Sequence, residues 1–397
     1  MTKLPARRLL WTYGAVLFVF LGASAALTPL FPLYQAQWHV PVPMLQAAFA
    51  IYALTLLGAL LCFGALSDHI GRRRVALMAI AIEALAMLQF ATAAGIGDVI
   101  RGRALQGLAT GIATSVLSAG LQDAERARGG LISGMVPMGS MAGFALFSAV
   151  LARFAPQPLH LVFVLVLAAL ALAVPAILAL PETVSPKPGA LASLRPRVHV
   201  PHRARAALLR VAPANIAVWA LAGLFLSLGP AVARLAAGGS TDPLLGGWEI
   251  ASVMSAALAA MLLHRKGDAM MLLRRGAPLV LLGLPVILLG LHARHLALFL
   301  PGAAIAGAGL GLIVQGSLRA LVPLAHVHER AGLMASYFVL SYLAFCVPAF
   351  AAGFAVRGLG LTATTDLYVV LLIGLTGMTL RALNRSNDGP APAETAA

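Results

Sequence analysis

Three charged residues lie within long apolar stretches of the chain and could carry proton chemistry: Glu83, Arg103 and Glu249. A charge in hydrocarbon is costly, so such residues are usually paired or functional. Burial favours the neutral form of a carboxyl group and a nearby cation favours the charged form. We therefore expect Glu83 to be the partner of Arg103, and Glu83 or Glu249 to bind the proton. The alternatives are a structural Glu83, a snorkelling Arg103 and an interfacial Glu249.

A second group of charged residues, at positions 64–74, joins two apolar runs and reads GALSDHIGRRR. Glycines allow close helix packing and tight turns, and an acid beside three cations can hold or release a neighbouring helix. A plain stop-transfer turn would explain the arginines but not an aspartate between two glycines. The candidate gate residues are Gly64, Asp68, Gly71, Arg72 and Arg73.

This segment resembles the signature loop of the major facilitator superfamily, Gly-x-x-x-Asp-(Arg/Lys)-x-Gly-Arg-(Arg/Lys), and departs from it only at His69. The resemblance extends over essentially the whole chain. It implies two six-helix bundles around a central cavity, working by alternating access. In that family the matching aspartate and first arginine help to hold the closed cytoplasmic gate through contacts between the halves. The resemblance therefore assigns this role to Asp68 and Arg72.

The pentapeptide RALQG at residues 103–107 resembles a second signature of the family, Arg-x-x-Gln-Gly, which is associated with proton-coupled members. The resemblance is to the drug:proton antiporter branch, and it implies proton-coupled efflux of a small amphipathic or lipophilic molecule. Exporters of the family often carry Gly-Pro in the fifth span, where this chain has Val136-Pro137. An uptake symporter or facilitator on the same fold is therefore the alternative.

Polar and aromatic residues occur on the runs that line the cavity in this family. In mostly apolar walls they suit an amphipathic or lipophilic ligand, although each can also be a helix contact or an interfacial aromatic. The candidates for the substrate cavity are Tyr52, Gln106, Asn215, Trp219, Gln315, Tyr337 and Tyr342.

Composition excludes several other classes of protein. The chain is 60% hydrophobic and 10% charged, with a mean hydropathy of +0.92, so the bilayer is its expected solvent. The basic residues that give the chain its net charge of +15 lie mostly between the apolar runs, so we expect no nucleic-acid partner. The sequence contains no nucleotide-binding loop, metal-ligand cluster or catalytic triad, so we expect no cofactor and no enzymatic activity. A membrane-embedded enzyme or a non-transporting sensor is the remaining alternative.

A helix needs about 20 residues to cross about 30 Å of hydrocarbon, and the sequence contains about twelve such apolar runs. We therefore predict an all-α, polytopic membrane protein. The first six runs are approximately residues 10–32, 45–66, 75–94, 97–120, 131–152 and 161–180. The second six are approximately residues 213–236, 244–263, 277–293, 296–321, 333–356 and 364–383.

The runs divide into two halves. We predict an N-terminal six-helix bundle at residues 1–180, a cytoplasmic linker at 181–212, a C-terminal bundle at 213–385 and a disordered cytoplasmic tail at 386–397. The tripeptide Glu-Arg-Ala at 125–127, before the fifth run, recurs at 329–331, before the eleventh. Parallel repeats of this kind are a transporter architecture.

Lysine and arginine are concentrated in alternate connections, at the N-terminus, at 72–74, at 126–128, in the linker and at 265–275. The positive-inside rule places these connections, and both termini, in the cytoplasm. The composition is rich in Arg, Ala, Gly and Leu, which indicates a bacterial protein of the inner membrane. The expected partners are the lipid bilayer, protons and a small-molecule substrate, and we expect a monomer.

Overall fold

Long apolar segments form the helices of this protein, because a helix satisfies its backbone hydrogen bonds within hydrocarbon. The computed structural model describes residues 6–196, 198–326 and 329–385. Within those ranges the chain is helical except for short connections and the linker. The tail predicted at 386–397 lies outside the described residues.

The first six spanning helices are α1 (Ala6–Ala26), α2 (Val42–Phe63), α3 (Arg72–Ala91), α4 (Ile96–Ala124), α5 (Arg126–Phe154) and α6 (Pro158–Leu178). The next four are α7 (His202–Ser227), α8 (Leu244–Leu263), α9 (Ala269–His292) and α10 (Leu296–Leu321), and a helical stretch at Arg330–Arg385 follows. The turn Thr28–Leu30 and the helix Phe31–Trp38 continue α1, and the helix Gly229–Ala236 continues α7. Shorter helical pieces at Ser67–Ile70, Ala190–Ser193 and Val322–Leu324 lie in connections.

The final helical stretch contains two spans. It has 56 residues, and a straight helix of that length would measure about 84 Å, far more than the bilayer thickness. Gly360 breaks it with φ 79° and ψ 167°, a conformation open to glycine but strained for other residues. We call the two parts α11 (330–359) and α12 (361–385). Eleven stretches of the described chain are long and apolar enough to span a membrane, and the last holds two spans. The prediction of an all-α protein with about twelve spans is confirmed.

The connection between the halves is shorter than the predicted linker at 181–212. Helix α7 begins at His202, and Ala204 and Val211, which are seven residues apart, are both buried on one face of it. The arginines of this segment lower its hydropathy without breaking the helix. The first turns of α7 therefore occupy residues that the sequence assigns to the linker.

Most helix packing occurs within each half. In the N-terminal half α2 and α3 pack on α4, and α1 packs on α5; in the C-terminal half α8 and α9 pack on α10. The main contacts between the halves are those of α5 with α8 and of α2 with α11. The buried apolar residues form one core in each half, and the C-terminal core also includes Phe49 and Ala145 of the N-terminal half.

The two ends of the helix bundle are called the basic face and the opposite face. The basic face carries the start of α1, residues 64–71, the linker and the connections at 264–268 and 322–326. The opposite face carries residues 39–41, 92–95, 155–157, 237–243 and 293–295.

The halves pack tightly near the opposite face. A Cβ on Gly247 of α8 would overlap Ala149 of α5, and a Cβ on Gly353 of α11 would lie 2.5 Å from Gln46 Cγ of α2. Close approach of this kind between helices in a membrane needs small residues at the contact. The end of the interface at the opposite face is therefore closed.

Two polar contacts between the halves lie at the same level. Thr28 Oγ1 donates a hydrogen bond to the backbone oxygen of Leu226 at 3.0 Å. Arg153, at the end of α5, forms an ion pair with Asp242 in the connection before α8. These contacts join segments from both halves across the opposite face.

Packing around α5 becomes looser toward the basic face. Residues 132–139 of α5 are all partly exposed, whereas Ser140, Ala142, Ala145 and Ala149 further along the helix are buried. Successive residues of a helix point about 100° apart, so a continuous partly exposed run covers every side of it. The half of α5 near the basic face is therefore packed less tightly than the half near the opposite face.

Candidate functional site

A network of polar groups surrounds Arg103 of α4 inside the N-terminal half. The Arg103 residue is 2% exposed. Its Nη1 donates a hydrogen bond to Gln106 Oε1 at 2.7 Å, and Gln106 Nε2 donates to Glu83 Oε1 of α3 at 3.2 Å. Gln106 and Glu83 are fully buried. The Gln106 amide therefore connects the guanidinium with the carboxyl group.

Helices α1 and α2 also hold the Arg103 guanidinium. It donates to the backbone oxygens of Ser24 at 3.1 Å and Ala48 at 3.3 Å, and its Cζ lies 3.9 Å from the centroid of the Tyr52 ring. Hydrogen bonds and a cation–π contact offset part of the cost of burying the charge. Arg103 thus points into the N-terminal bundle instead of snorkelling to the membrane surface.

Gly107 of the RALQG motif lets α4 approach α2 closely. A Cβ at this position would overlap the Tyr52 backbone oxygen and the Thr55 hydroxyl. Any larger residue would push the two helices apart. The motif glycine thereby sets the spacing at which Arg103 stacks on Tyr52.

Glu249 lies apart from this network, in the second turn of α8. It is fully buried, and neither of its carboxyl oxygens has a hydrogen-bond partner. The carboxyl group rests against Gly229, where α7 breaks before its outer segment Gly229–Ala236. A Cβ on Gly229 would lie 2.6 Å from Glu249 Oε1. The structure does not bring Glu249 together with Glu83.

Four of the predicted cavity residues come together in the C-terminal half. Asn215 Nδ2 of α7 donates to Ser341 Oγ of α11 at 2.8 Å. The ring centroids of Trp219 and Tyr342 are 5.0 Å apart. The Tyr337 hydroxyl approaches both Trp219 and Ser341. Helices α7 and α11 thus present one continuous polar and aromatic surface.

Phe345 extends this surface to the interface with the other half. Its ring centroid lies 6.0 Å from that of Trp219 and 4.7 Å from that of Phe49 on α2. Tyr52, also on α2, is within electrostatic range of Tyr342. The name aromatic cluster is used below for Asn215, Trp219, Tyr337, Ser341, Tyr342 and Phe345.

Gln315 does not contact the aromatic cluster. It is 7% exposed on α10, and its Nε2 lies 3.5 Å from the backbone oxygen of Met261, near the end of α8 at the basic face. Its amide oxygen has no hydrogen-bond partner. Gln315 therefore lies at the contact of α8 with α10, away from the other predicted cavity residues.

The predicted gate loop forms a compact set of ionic contacts at the basic face. Arg72 is 7% exposed, and its guanidinium pairs with Asp68 at 2.5 Å and with Asp123 of α4 at 3.0 Å. Arg72 Nη1 also donates to Ser67 Oγ at 2.5 Å. These contacts join the loop at 64–71, α3 and α4 within the N-terminal half. The contacts between the halves that are expected of Asp68 and Arg72 are not among the contacts that these two residues form in the described part of the chain.

The linker contributes an acid to this loop. Glu182 accepts hydrogen bonds from the backbone N–H groups of Arg72 at 2.7 Å and Arg73 at 3.1 Å, at the start of α3. Gly71 has φ 102°, and a Cβ there would lie 2.5 Å from Glu182 Oε2, so both backbone conformation and space require glycine. At Gly64 a Cβ would lie 2.7 Å from the Leu60 backbone oxygen. Steric constraints therefore explain why both of these loop positions are glycine.

Sequence reasoning missed several residues of these sites. Ser341 and Phe345 follow Tyr337 at intervals of four residues, and this helical spacing could have identified them. Asp123 lies at the end of α4 and Glu182 in the linker, but nothing in their spacing indicates that they bind Arg72. The ion pair of Arg153 with Asp242 joins positions 89 residues apart and has no local signal.

Comparison with known proteins supplies the context of these sites. The model of the Major Facilitator Superfamily matches residues 13–349. Among curated proteins, no sequence matches this chain.

Solved structures match over almost their full length. The human organic anion transporter MFSD10 (TETRAN) is 17% identical, with 96% of this chain and 100% of that chain covered and a TM-score of 0.70. A POT family transporter in complex with 5-aminolevulinic acid is 13% identical, with 97% of each chain covered and a TM-score of 0.74. A POT family transporter in complex with a thioalcohol conjugated peptide is 13% identical, with 96% of each chain covered and a TM-score of 0.73. These similarities show a shared fold.

Proposed function

The chain belongs to the major facilitator superfamily and is a multi-pass membrane transporter, and from this premise we propose that it exports a small amphipathic or lipophilic molecule in exchange for protons. This would place it with the drug:proton antiporter branch of the family. The observation that carries the proposal is the combination of an aromatic, uncharged cavity surface on α7 and α11 with two fully buried carboxyl groups on α3 and α8.

The two ends of the interface support alternating access. The halves are packed closely at the opposite face, and α5 is packed less tightly toward the basic face, so we propose that a ligand reaches the aromatic cluster from the basic face in this conformation. A transporter needs a second conformation with the reverse arrangement, in which Asp68 and Arg72 would meet the other half. A ligand or proton shifts the balance between two such states only if it binds them with different affinity.

The positive-inside rule supports an orientation with the basic face in the cytoplasm. Both termini then lie in the cytoplasm of a bacterial cell, and the inner membrane is the proposed location. We propose that the present conformation is inward-facing, the state in which an exporter accepts its cargo. We propose that the transporter works as a monomer, since the cavity surface is formed within one chain.

Glu83 and Glu249 are the proposed proton-binding residues. A carboxylate that is buried without a partner is costly, so a change of surroundings between the two conformations favours uptake or release of a proton. Glu249 lies against the break in α7, and Glu83 is joined through Gln106 to Arg103. Either position can couple protonation to movement of the helices that line the cavity.

An uptake symporter is the second candidate. It is favoured by Val136-Pro137 in α5, where exporters of the family often have Gly-Pro. The direction in which protons and cargo move relative to each other separates the two candidates.

Transport by purified protein in proteoliposomes tests the proposal. A trapped pH indicator would report proton movement when members of a radiolabelled panel of neutral, anionic and cationic aromatic compounds are added under an imposed proton gradient. Antiport predicts that cargo and protons move in opposite directions, and that Glu249→Gln or Glu83→Gln uncouples them. Cargo movement that ignores the gradient would reject proton coupling, and movement in the same direction would establish symport.

A further inference from the structure

The aromatic cluster contains three buried polar atoms that form no hydrogen bond of normal geometry: Asn215 Oδ1, Trp219 Nε1 and the Tyr337 hydroxyl. The Tyr337 hydroxyl approaches Trp219 and Ser341, but these contacts do not have the distance and angle of a hydrogen bond. Asn215 is fully buried and Tyr337 is 1% exposed. A buried polar group without a hydrogen bond is costly, so three of them on one surface indicate a ligand that supplies the missing bonds.

The hydrogen-bonding roles of these atoms restrict the ligand. The Trp219 indole nitrogen can only donate, and the Tyr337 hydroxyl can donate as well. A ligand that satisfies both must therefore carry an acceptor, such as a carbonyl oxygen. The Asn215 amide already donates to Ser341, which leaves its oxygen as an acceptor.

The rings of the cluster restrict the shape of the ligand. Trp219, Tyr342 and Phe345 have centroids between 5.0 and 6.2 Å apart at steep interplanar angles, so they form a corner of ring faces and edges. Both Trp219 and Tyr342 are only partly buried. A planar aromatic ring fits such a corner by offset or edge-to-face stacking.

The charges around the cluster restrict the ligand further. None of its six members is charged. The buried cation Arg103 stacks on Tyr52 and hydrogen-bonds Gln106, which in turn donates to Glu83. Glu249 faces Gly229. An ion placed among the cluster residues would lose its hydration without gaining a counter-ion.

We propose that the aromatic cluster binds an uncharged, planar aromatic compound that carries a hydrogen-bond acceptor, and that Trp219 and Tyr337 donate to this acceptor. The inference rests on the proposed function in that it takes the cluster as the cargo site. It names the chemical class of the cargo, which the proposed function leaves open.

Four naphthalene derivatives of similar size test the proposed class. The first is 2-acetylnaphthalene, which is neutral and has a carbonyl acceptor; the second is 2-isopropenylnaphthalene, which has the same shape without the acceptor. The third is the anion 2-naphthoate and the fourth is the cation N,N,N-trimethyl-2-naphthylammonium. Each would be titrated against the purified full-length protein, with thermal stabilisation as the measure of binding. We expect the ketone to bind about fivefold to tenfold more tightly than the alkene and at least about tenfold more tightly than either ion.

Two variants with matched controls locate the hydrogen bonds. Trp219→Phe and Tyr337→Phe keep an aromatic ring but lose the donor, and each should reduce the preference for the ketone over the alkene about threefold or more. Tyr34→Phe is the control for Tyr337, because Tyr34 is also 1% exposed and its hydroxyl also lacks a partner, yet it stacks on Trp38 elsewhere. Trp248→Phe, at a 50% exposed position, is the control for Trp219.

Several results would overturn the inference. They are equal binding of ketone and alkene by the unmodified protein, tighter binding of either ion, and equal effects of the variants and their controls. Because binding is measured without a proton gradient, failure of coupling in proteoliposomes would leave this result intact. Conversely, coupled transport of a charged panel member would sustain the proposed function and reject the proposed class.

Discussion

At the scale of single residues, the N-terminal half buries a cation and an acid that are joined by an amide. Arg103 and Glu83 do not touch directly, and Gln106 lies between them. Such an arrangement couples the Glu83 carboxyl group to the guanidinium while the two side chains stay on separate helices. The contribution of Arg103 to the free energy of unfolding should therefore depend on Glu83.

The Arg103→Ala variant tests this dependence. Removal of one member of a buried ionic network leaves the other polar groups unsatisfied, and we expect a loss of about 3 kcal/mol in the free energy of unfolding. Glu83→Gln should cost less in the Arg103→Ala background than alone, and this coupling is measured by a double-mutant cycle with thermal unfolding in detergent. Arg101→Ala is the control, because Arg101 pairs with Asp98 on the surface and should cost no more than about 1 kcal/mol. Additive effects of Arg103→Ala and Glu83→Gln would contradict the link through Gln106.

At the scale of helices, two breaks give the spans their final form. Gly360 divides α11 from α12, and Leu228 separates α7 from its outer segment Gly229–Ala236. The second break places Gly229 directly against the Glu249 carboxyl group. The contact between α7 and α8 at this level therefore depends on a residue without a side chain.

Gly229→Ala should destabilise the protein. The new Cβ would lie 2.6 Å from Glu249 Oε1, and forced overlap in a packed interior costs about 1 to 3 kcal/mol. Shortening the acid by Glu249→Asp should restore part of the loss, which thermal unfolding of the single and double variants would measure. Gly374→Ala is the control, because a Cβ there meets open space and the substitution favours the helix. If Glu249→Asp gave no rescue, the contact with Gly229 would not be the cause.

The sequence predicts these helices better than it predicts their contacts. Apolar runs about 20 residues long mark the spans, because every residue in hydrocarbon contributes to that signal. This hydropathy signal does not detect the start of α7 at His202, because the first turns of α7 form an amphipathic segment that contains arginines. Asn215, Trp219, Tyr337 and Tyr342 stand out singly as polar or aromatic residues. Their assembly into one surface depends on the packing of α7 against α11, which no local pattern encodes.

At the scale of the whole molecule, closure at the opposite face combines close helix packing with a single ion pair. Arg153 and Asp242 belong to different halves, and both are partly exposed. Burial opposes ionisation of Asp242, but a hydrogen bond from the Leu244 N–H and the Arg153 guanidinium hold the pKa of its carboxyl below the ordinary value of 3.8. A lowered pKa means that the pair stabilises closure above that value and loses its effect as the pH falls through the lowered pKa. Between about pH 5 and pH 8 its contribution should be constant.

In the Asp242→Asn variant the opposite face should therefore be open in a larger fraction of molecules. This increase should be the same at every pH between about 5 and 8. A cysteine at Ala149, buried between α5 and α8, reports this opening through its reaction with a membrane-impermeant maleimide, once Cys62 and Cys346 are replaced by serine. An exposed ion pair contributes up to about 1 kcal/mol, so we expect labelling to rise by at most about fivefold.

Asp98→Asn is the matched control for this measurement, because Asp98 pairs with Arg101 at the same face but within one half. Its labelling should equal that of the unmodified protein. Labelling that changed steeply between about pH 5 and pH 8 in the presence of the intact pair would place the proton-sensitive group elsewhere, with Glu249 of the neighbouring α8 as the residue to test. If the Asp242→Asn variant were labelled no faster than the control, the apolar packing of Gly247 on α5 would be enough to close this face. The ion pair would then be a consequence of closure and not one of its causes.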